Sequence, residues 1–295
     1  MQPSALRFMC AAATIMMATR WASAQVVAAG AEVERVADGY AFTEGPVAGS
    51  DGLIYFSDIP NHTIATFDPA TGKAGVFTDQ SGNANGLMFD AQGRLIACRH
   101  GGRDLAAFNL QNRSAQSLID RYEGKRLNSP NDLVIDAVGG IYFTDPRYGK
   151  RDDLEMVIEA VYYYSADGKL TALIGKLKRP NGIALSPDGK TLYVADWGAP
   201  AMMAYRVVAP GKIADGRVLL DAAALNNGGP DGMCVDPAGR LYVALPMGIG
   251  VYSPAGEKIA VIKVPEKPSN CTLAGDVLYI TAGRSLYRIK LNLQT

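Results

Sequence analysis

Residues 179–197, Arg-Pro-Asn-Gly-Ile-Ala-Leu-Ser-Pro-Asp-Gly-Lys-Thr-Leu-Tyr-Val-Ala-Asp-Trp, decide how this chain folds. They read as a short β-strand (183–185), a Pro-Asp-Gly turn (187–189) and a second strand (191–195). Proline presets φ and glycine takes up positive φ, so the turn reverses the chain. A polar residue, Asn181, stands at the entrance of the first strand between Pro180 and Gly182.

The same pattern occurs six times. Equivalent stretches begin at Glu44, Asn85, Asn131, Asp231 and Asn270, each with a polar residue, a short strand, a glycine-containing turn and an apolar second strand. The turn glycines Gly52, Gly93, Gly139, Gly189, Gly239 and Gly275 are spaced by 41, 46, 50, 50 and 36 residues. Two more strand-like runs follow the hairpin, at 63–67 and 74–78 in the first repeat and at 160–164 and 170–174 in the third. Four short strands per forty-odd residues is the pattern of a β-propeller blade. Helical periodicity is nearly absent, with one turn or so possible at 152–158.

The last repeat has only three strands before the chain stops, whereas residues 33–36 form a strand-like run belonging to no other repeat. The expectation is an all-β, six-bladed β-propeller of four-stranded antiparallel blades. An N-terminal strand completes the C-terminal blade and leaves no edge unpaired. A β-sandwich is the alternative that the repeat number disfavours.

The innermost strand of each blade lines the central channel. Glu44, Asn85, Asn131, Asn181, Asp231 and Asn270 are therefore expected around one end of it. Turn-forming Asn and Asp could explain one or two of them, but not Glu44. Two carboxylates facing each other, with no Lys or Arg at an equivalent position, need a cation or a shared proton. A hard divalent ion held by Glu44, Asn131, Asn181 and Asp231 answers this. Ca2+ suits an all-oxygen shell, with Mg2+, Mn2+ or Zn2+ as alternatives. Zn2+ is disfavoured as the preferred ion because no His or Cys pair stands at ligand spacing.

Composition sets the remaining bounds. Apolar residues are 48% and charged residues 20% of the chain, as in a globular domain with a sizeable core. Basic and acidic residues balance at 29 each, so no global field points to nucleic acid or to an anionic membrane. Arg7, the apolar run 8–18 and Ala22-Ser23-Ala24 read as a signal peptide over 1–24. That leaves one domain over 25–295, periplasmic or secreted, with no membrane segment after cleavage. Cys98, Cys234 and Cys271 then remain, in apolar runs that suit buried free thiols rather than a disulfide framework. Nothing here fixes the oligomeric state.

Five motifs, taken together, resemble the gluconolactonase/senescence-marker-protein (regucalcin) family from about Val33 onward. They are Glu44-Gly-Pro, the Leu-Asn-Ser-Pro-Asn-Asp run at 127–132, and the Phe-Thr-Asp-Pro-Arg-Tyr-Gly run at 143–149. Arg-Pro-Asn-Gly at 179–182 and Gly-Pro-Asp-Gly-Met at 229–233 complete the set. The run at 97–103, Ala-Cys-Arg-His-Gly-Gly-Arg, is similar to that family's bacterial sugar-lactonase branch. The resemblance implies a metal-dependent, Ca2+-type hydrolase opening a small-molecule sugar lactone. It also implies Glu44, Asn181 and Asp231 as ligands, Asn131 as a further ligand or substrate contact, and Asp231 as the proton-transfer group. Other branches hydrolyse organophosphates or act as drug-responsive lactonases with nearly the same metal set, so an aryl esterase or organophosphate hydrolase stays open, as does a non-catalytic metal-binding propeller. Trp197 and 150–159 match no known substrate pattern. No Gly-x-Ser-x-Gly elbow occurs.

Three further residues are candidates. His100 falls at a strand end and is a possible second proton-transfer group, against a solvent-exposed turn histidine. Arg126 and Asn128, in the loop entering the third blade, are expected to meet substrate with Asn131, the alternative for Arg126 being an exposed loop charge. Arg103 and Tyr148 follow second strands, which makes them weaker candidates on the view that such ends reach the mouth only through adjoining loops. Asp145 is expected to cap a turn, and His62 to be a plain loop residue.

Overall fold

The computed structural model describes residues 26–293, so the expected signal peptide over 1–24 lies outside the described residues. These residues fold as six four-stranded antiparallel sheets, with one small extra hairpin. Blade 1 contains Thr43–Ala48, Ile54–Asp58, Thr63–Asp68 and Lys73–Thr78, paired in that order from the axis outward. The innermost strands of blades 2 to 6 are Ala84–Phe89, Leu133–Ile135, Pro180–Leu185, Met233–Val235 and Pro268–Ala274. The six turn glycines all have positive φ, from 61° at Gly275 to 86° at Gly239. Each reverses the chain where an L side chain would be strained.

The ring closes as the sequence predicts. Glu34–Asp38 pairs antiparallel with Ser285–Lys290, Glu34 opposite Arg288 and Asp38 opposite Ser285, and so becomes the outer strand of blade 6. No helix occurs among the described residues, and the helical turn expected at 152–158 is a run of turns and bends. The extra hairpin, Arg121–Tyr122 with Lys125–Arg126, stands between blades 2 and 3.

The core is divided among the blade interfaces. Six apolar clusters each join two neighbouring blades, including Tyr55 and Phe77 of blade 1 with Leu87 and Phe108 of blade 2. Second strands are sandwiched on both faces, so Leu241–Leu245 is buried along its whole length. This is why they read as continuous apolar runs rather than alternating ones.

Two local devices bring the polar residues to the axis. The pairing of first and second strands slips between Glu44 and Val47, Ala84 and Leu87, Pro180 and Ile183, and Pro268 and Asn270. Such bulges re-aim a side chain, and here they fall on or beside Glu44, Asn85, Asn181 and Asn270. The glycine after the polar residue lets neighbouring strands converge: a Cβ on Gly45 would collide with the Asn85 carbonyl, and one on Gly182 with the Asp231 carbonyl.

Candidate functional site

A cavity of about 290 Å3 opens at the end of the channel where the innermost strands begin. Its lining includes Glu44, Asn85, His100, Asn131, Asn181 and Asp231. Five of the six axial residues meet there. The sixth, Asn270, lines a second cavity of about 260 Å3 deeper along the channel, where its Nδ2 donates to Asp132 Oδ2 at 3.3 Å.

The rest of the mouth comes from segments that the sequence reading ranked lower. Ile59, His100, Tyr148 and Trp197 follow the second strands of blades 1 to 4, while Phe42 and Lys267 precede first strands. The geometry explains this. A second strand runs antiparallel to the first, so it ends at the mouth where the first begins. The expectation that second-strand ends are remote is therefore corrected for Tyr148. It accepts a 2.8 Å hydrogen bond from Asn181 Nδ2 and packs edge-on to Trp197. The Arg179 guanidinium lies 5.3 Å from both of those rings.

Aspartates at the ends of three second strands brace the mouth. Asp58 accepts from the Ala41 and Phe42 amides, Asp145 from Asn128 and Ser129, and Asp196 from Lys178 and Arg179. Asp145, expected to cap a turn of its own, instead anchors the loop entering the third blade. The Asn128 side chain is buried and donates to the Asp145 and Ile158 carbonyls, while Arg126 Nη2 reaches the Gly102 carbonyl at 3.4 Å. Neither Arg126 nor Asn128 lines the mouth cavity. Arg103 is buried outside it too, holding the Leu127 and Asp153 carbonyls, and His62 is an exposed loop residue.

Charge is concentrated at the axis. Burial raises Glu44 well above the usual carboxylate range, and the Asp231 and Asp132 carboxylates raise it further. Burial holds Asp231 at about 7, against the pull of Lys267 and of a hydrogen bond from Asn181. Asp132 is likewise raised to about 7, by burial first. Sequence reasoning passed over Asp132, although a signal was present. Four other repeats carry glycine in this slot (Gly45, Gly86, Gly182 and Gly232), so a carboxylate there has only the channel to enter. Lys267 is the cation absent from the sequence argument, which compared only equivalent repeat positions. His100 is lowered to about 4 by burial and then by Arg147, which keeps the imidazole neutral, and its Nε2 lies 3.2 Å from Asn85 Nδ2.

The donor set fits a hard cation. A buried Glu44 whose proton affinity the Asp231 carboxylate raises invites a positive charge, and the 4%-exposed Asn131 carboxamide has no hydrogen-bond partner among the described residues. No group of three or more His, Cys, Asp or Glu side chains arranged to hold a metal occurs among the described residues. The expected set contains only two such residues, its other donors being carboxamides.

Comparison with known proteins places this geometry. Residues 42–284 match the SMP-30/Gluconolactonase/LRE-like region. The chain belongs to that family. It is 33% identical to a gluconolactonase of Zymomonas mobilis, over 88% of this chain and 81% of that protein. It is 26% identical to regucalcin of Xenopus laevis, over 84% of this chain and 85% of that one. The solved structure of a gluconolactonase from Xanthomonas campestris superposes with a TM-score of 0.85 at 33% identity, covering 90% of this chain and 92% of that one. The resemblance read from the five motifs is thereby established at family level.

Proposed function

We propose that this SMP-30/gluconolactonase-family chain is a lactonase that opens a sugar lactone in the mouth cavity. The observation that carries the reading is that Glu44, Asn131, Asn181 and Asp231 all line that cavity. Relatives named for lactone hydrolysis, similar over most of their length, support it.

Glu44, Asn131, Asn181 and Asp231 would hold a divalent cation, Ca2+ in our reading, which when bound polarises the lactone carbonyl. The chain's own residues supply the rest. Asp231 takes the proton of the attacking water as the new C–O bond forms. The ring C–O bond then breaks, and Asp231 returns the proton to the departing ring oxygen, leaving a hydroxy acid. A neutral His100, lowered to about 4, fits a hydrogen-bonding role beside Asn85 better than that of a second proton-transfer group. Tyr148 and Trp197 wall the cavity and restrict the approach of bulk water. The 1–24 segment, with Arg7, the apolar run 8–18 and Ala22-Ser23-Ala24, supports export to the periplasm or beyond in this reading. No helix among the described residues is long and apolar enough to cross a membrane.

The test is a panel of D-glucono-1,5-lactone, other sugar lactones, phenyl acetate and a phosphotriester, each with added Ca2+ and with excess chelator. Lactone turnover above the spontaneous rate, lost on chelation and restored by Ca2+, is expected. Turnover confined to the aryl ester or phosphotriester would move the reading to the alternative hydrolase. Cation binding without any turnover would make the chain a binding propeller.

A further inference from the structure

Cys234 and Cys271 stand on the innermost strands of blades 5 and 6, and their Sγ atoms lie 3.5 Å apart. Both side chains turn toward the same interface: Cys271 belongs to the apolar cluster between those blades and Cys234 packs against it. Both also line the deeper, 260 Å3 cavity, which gives small solutes a way to the sulfurs. Cys234 is partly exposed there, whereas Cys271 is 3% exposed. Cys98, by contrast, is fully buried at the interface of blades 2 and 3. The two sulfurs are in van der Waals contact, and an S–S bond is about 2 Å long. Joining them therefore asks the two sulfurs to close by about 1.5 Å.

We propose that Cys234 and Cys271 form a cross-blade disulfide when the folded chain meets a small disulfide oxidant. The Cys234 thiolate attacks one sulfur of the oxidant RSSR, breaking its S–S bond, joining Cys234 to RS and releasing RS–. The Cys271 thiolate then attacks Cys234 Sγ and releases the second RS–. The two thiol protons leave with two molecules of RSH. The protein pair is oxidised by two electrons and the reagent is reduced by two. Cys234 reacts first because it is the more exposed of the two thiols, and Cys271, more deeply buried beside it, resolves the mixed disulfide.

The link has a place in the architecture. It ties the blade that carries Asp231 to the blade that closes the ring, whose outer strand is borrowed from the N-terminal side of the chain. It also closes a 37-residue segment, restricting the unfolded chain more than the folded one. The oxidised form should therefore resist separation of blades 5 and 6.

The test uses the full chain and 2-hydroxyethyl disulfide. After incubation the protein is denatured, its free thiols are alkylated, and it is digested for mass spectrometry. A peptide pair joined through Cys234 and Cys271, lighter by two hydrogen atoms than the sum of its halves, is expected, with Cys98 fully alkylated. The oxidised protein should melt higher than the reduced one, and Cys271→Ala should abolish that rise. Recovery of Cys234 and Cys271 both alkylated would overturn the proposal, as would a mercaptoethanol adduct on Cys234 that persists without a joined peptide.

Discussion

Asn181 Nδ2 donates to the Tyr148 hydroxyl at 2.8 Å, so the innermost strand of blade 4 is tied to the loop leaving the second strand of blade 3. The bond fixes the carboxamide plane, and with it the direction of the Asn181 oxygen. Partners of this kind tune a ligand without touching the ion.

Tyr148→Phe is the first prediction. The ring remains against Trp197, but the Asn181 amide loses the Tyr148 hydroxyl as an acceptor and keeps only Asp231. Cation affinity and kcat/KM should each fall about 10-fold or more, as is usual for the loss of a bond that orients a ligand. The melting temperature should drop by only a few degrees, since one hydrogen bond is worth about 1 kcal/mol. Calorimetric titration with Ca2+, kinetics and a thermal melt separate these effects. Wild-type affinity in the variant would mean that Asn181 is oriented by something else.

Asp231→Asn separates proton transfer from cation binding. The substitution keeps an oxygen donor and removes the base. Turnover is expected to fall about 100-fold or more, while Ca2+ affinity changes far less. Glu44→Gln should instead weaken Ca2+ binding and turnover together, because Glu44 has no proton to move in this scheme. Equal losses of affinity and turnover in Asp231→Asn would remove Asp231 from the proton-transfer role.

What the sequence could and could not disclose follows from where information is local. The repeat of polar residue, strand and positive-φ glycine is local, so six blades and the borrowed strand at 34–38 were readable. Asn85, Asn131, Asn181, Glu44 and Asp231 also fell into one cavity from repeat position alone. Tyr148 was undervalued because its place depends on the return direction of a second strand, a property of the blade rather than of the residue. Lys267 was missed because it precedes its strand by one residue, outside the axial repeat positions. Arg126 was overvalued for the opposite reason: it lies on an unforeseen hairpin whose side chain turns toward Gly102.

The buried carboxyls set a pH dependence whose sign can be worked out. Asp132 and Asp231 move from an ordinary 3.8 to about 7 in the fold. Between those values the folded chain holds protons that the unfolded chain has released, so stability falls as pH rises through that window. With chelator present, the contribution of these two groups to the melting temperature should therefore decline between pH 4 and pH 7. Asp132→Asn, which does not titrate, should flatten the decline. Added Ca2+ should raise the melting temperature more at pH 8 than at pH 5, because the carboxylates bind it ionised. Scanning fluorimetry across pH, with chelator and with Ca2+, reads both effects. A wild-type slope in Asp132→Asn would show that this carboxyl is not the group held protonated.

The close approach of blades 4 and 5 is open to a steric test at Gly182. A Cβ there would collide with the Asp231 carbonyl and stand 2.8 Å from the Gly232 Cα. Both obstacles are backbone, so neither can rotate away, and the two innermost strands must separate. Gly182→Ala should cost about 1–3 kcal/mol, as overpacking in a filled interior does. It should also lower turnover, because the displaced carbonyl belongs to Asp231 itself. Gly175→Ala is the matched control: its nearest neighbour is the end of the Ile158 side chain at 3.4 Å, and stability and rate should stay near wild type. A Gly182→Ala protein that melts and turns over like the control would mean that Asp231 is held at the axis by something other than backbone contact between these strands.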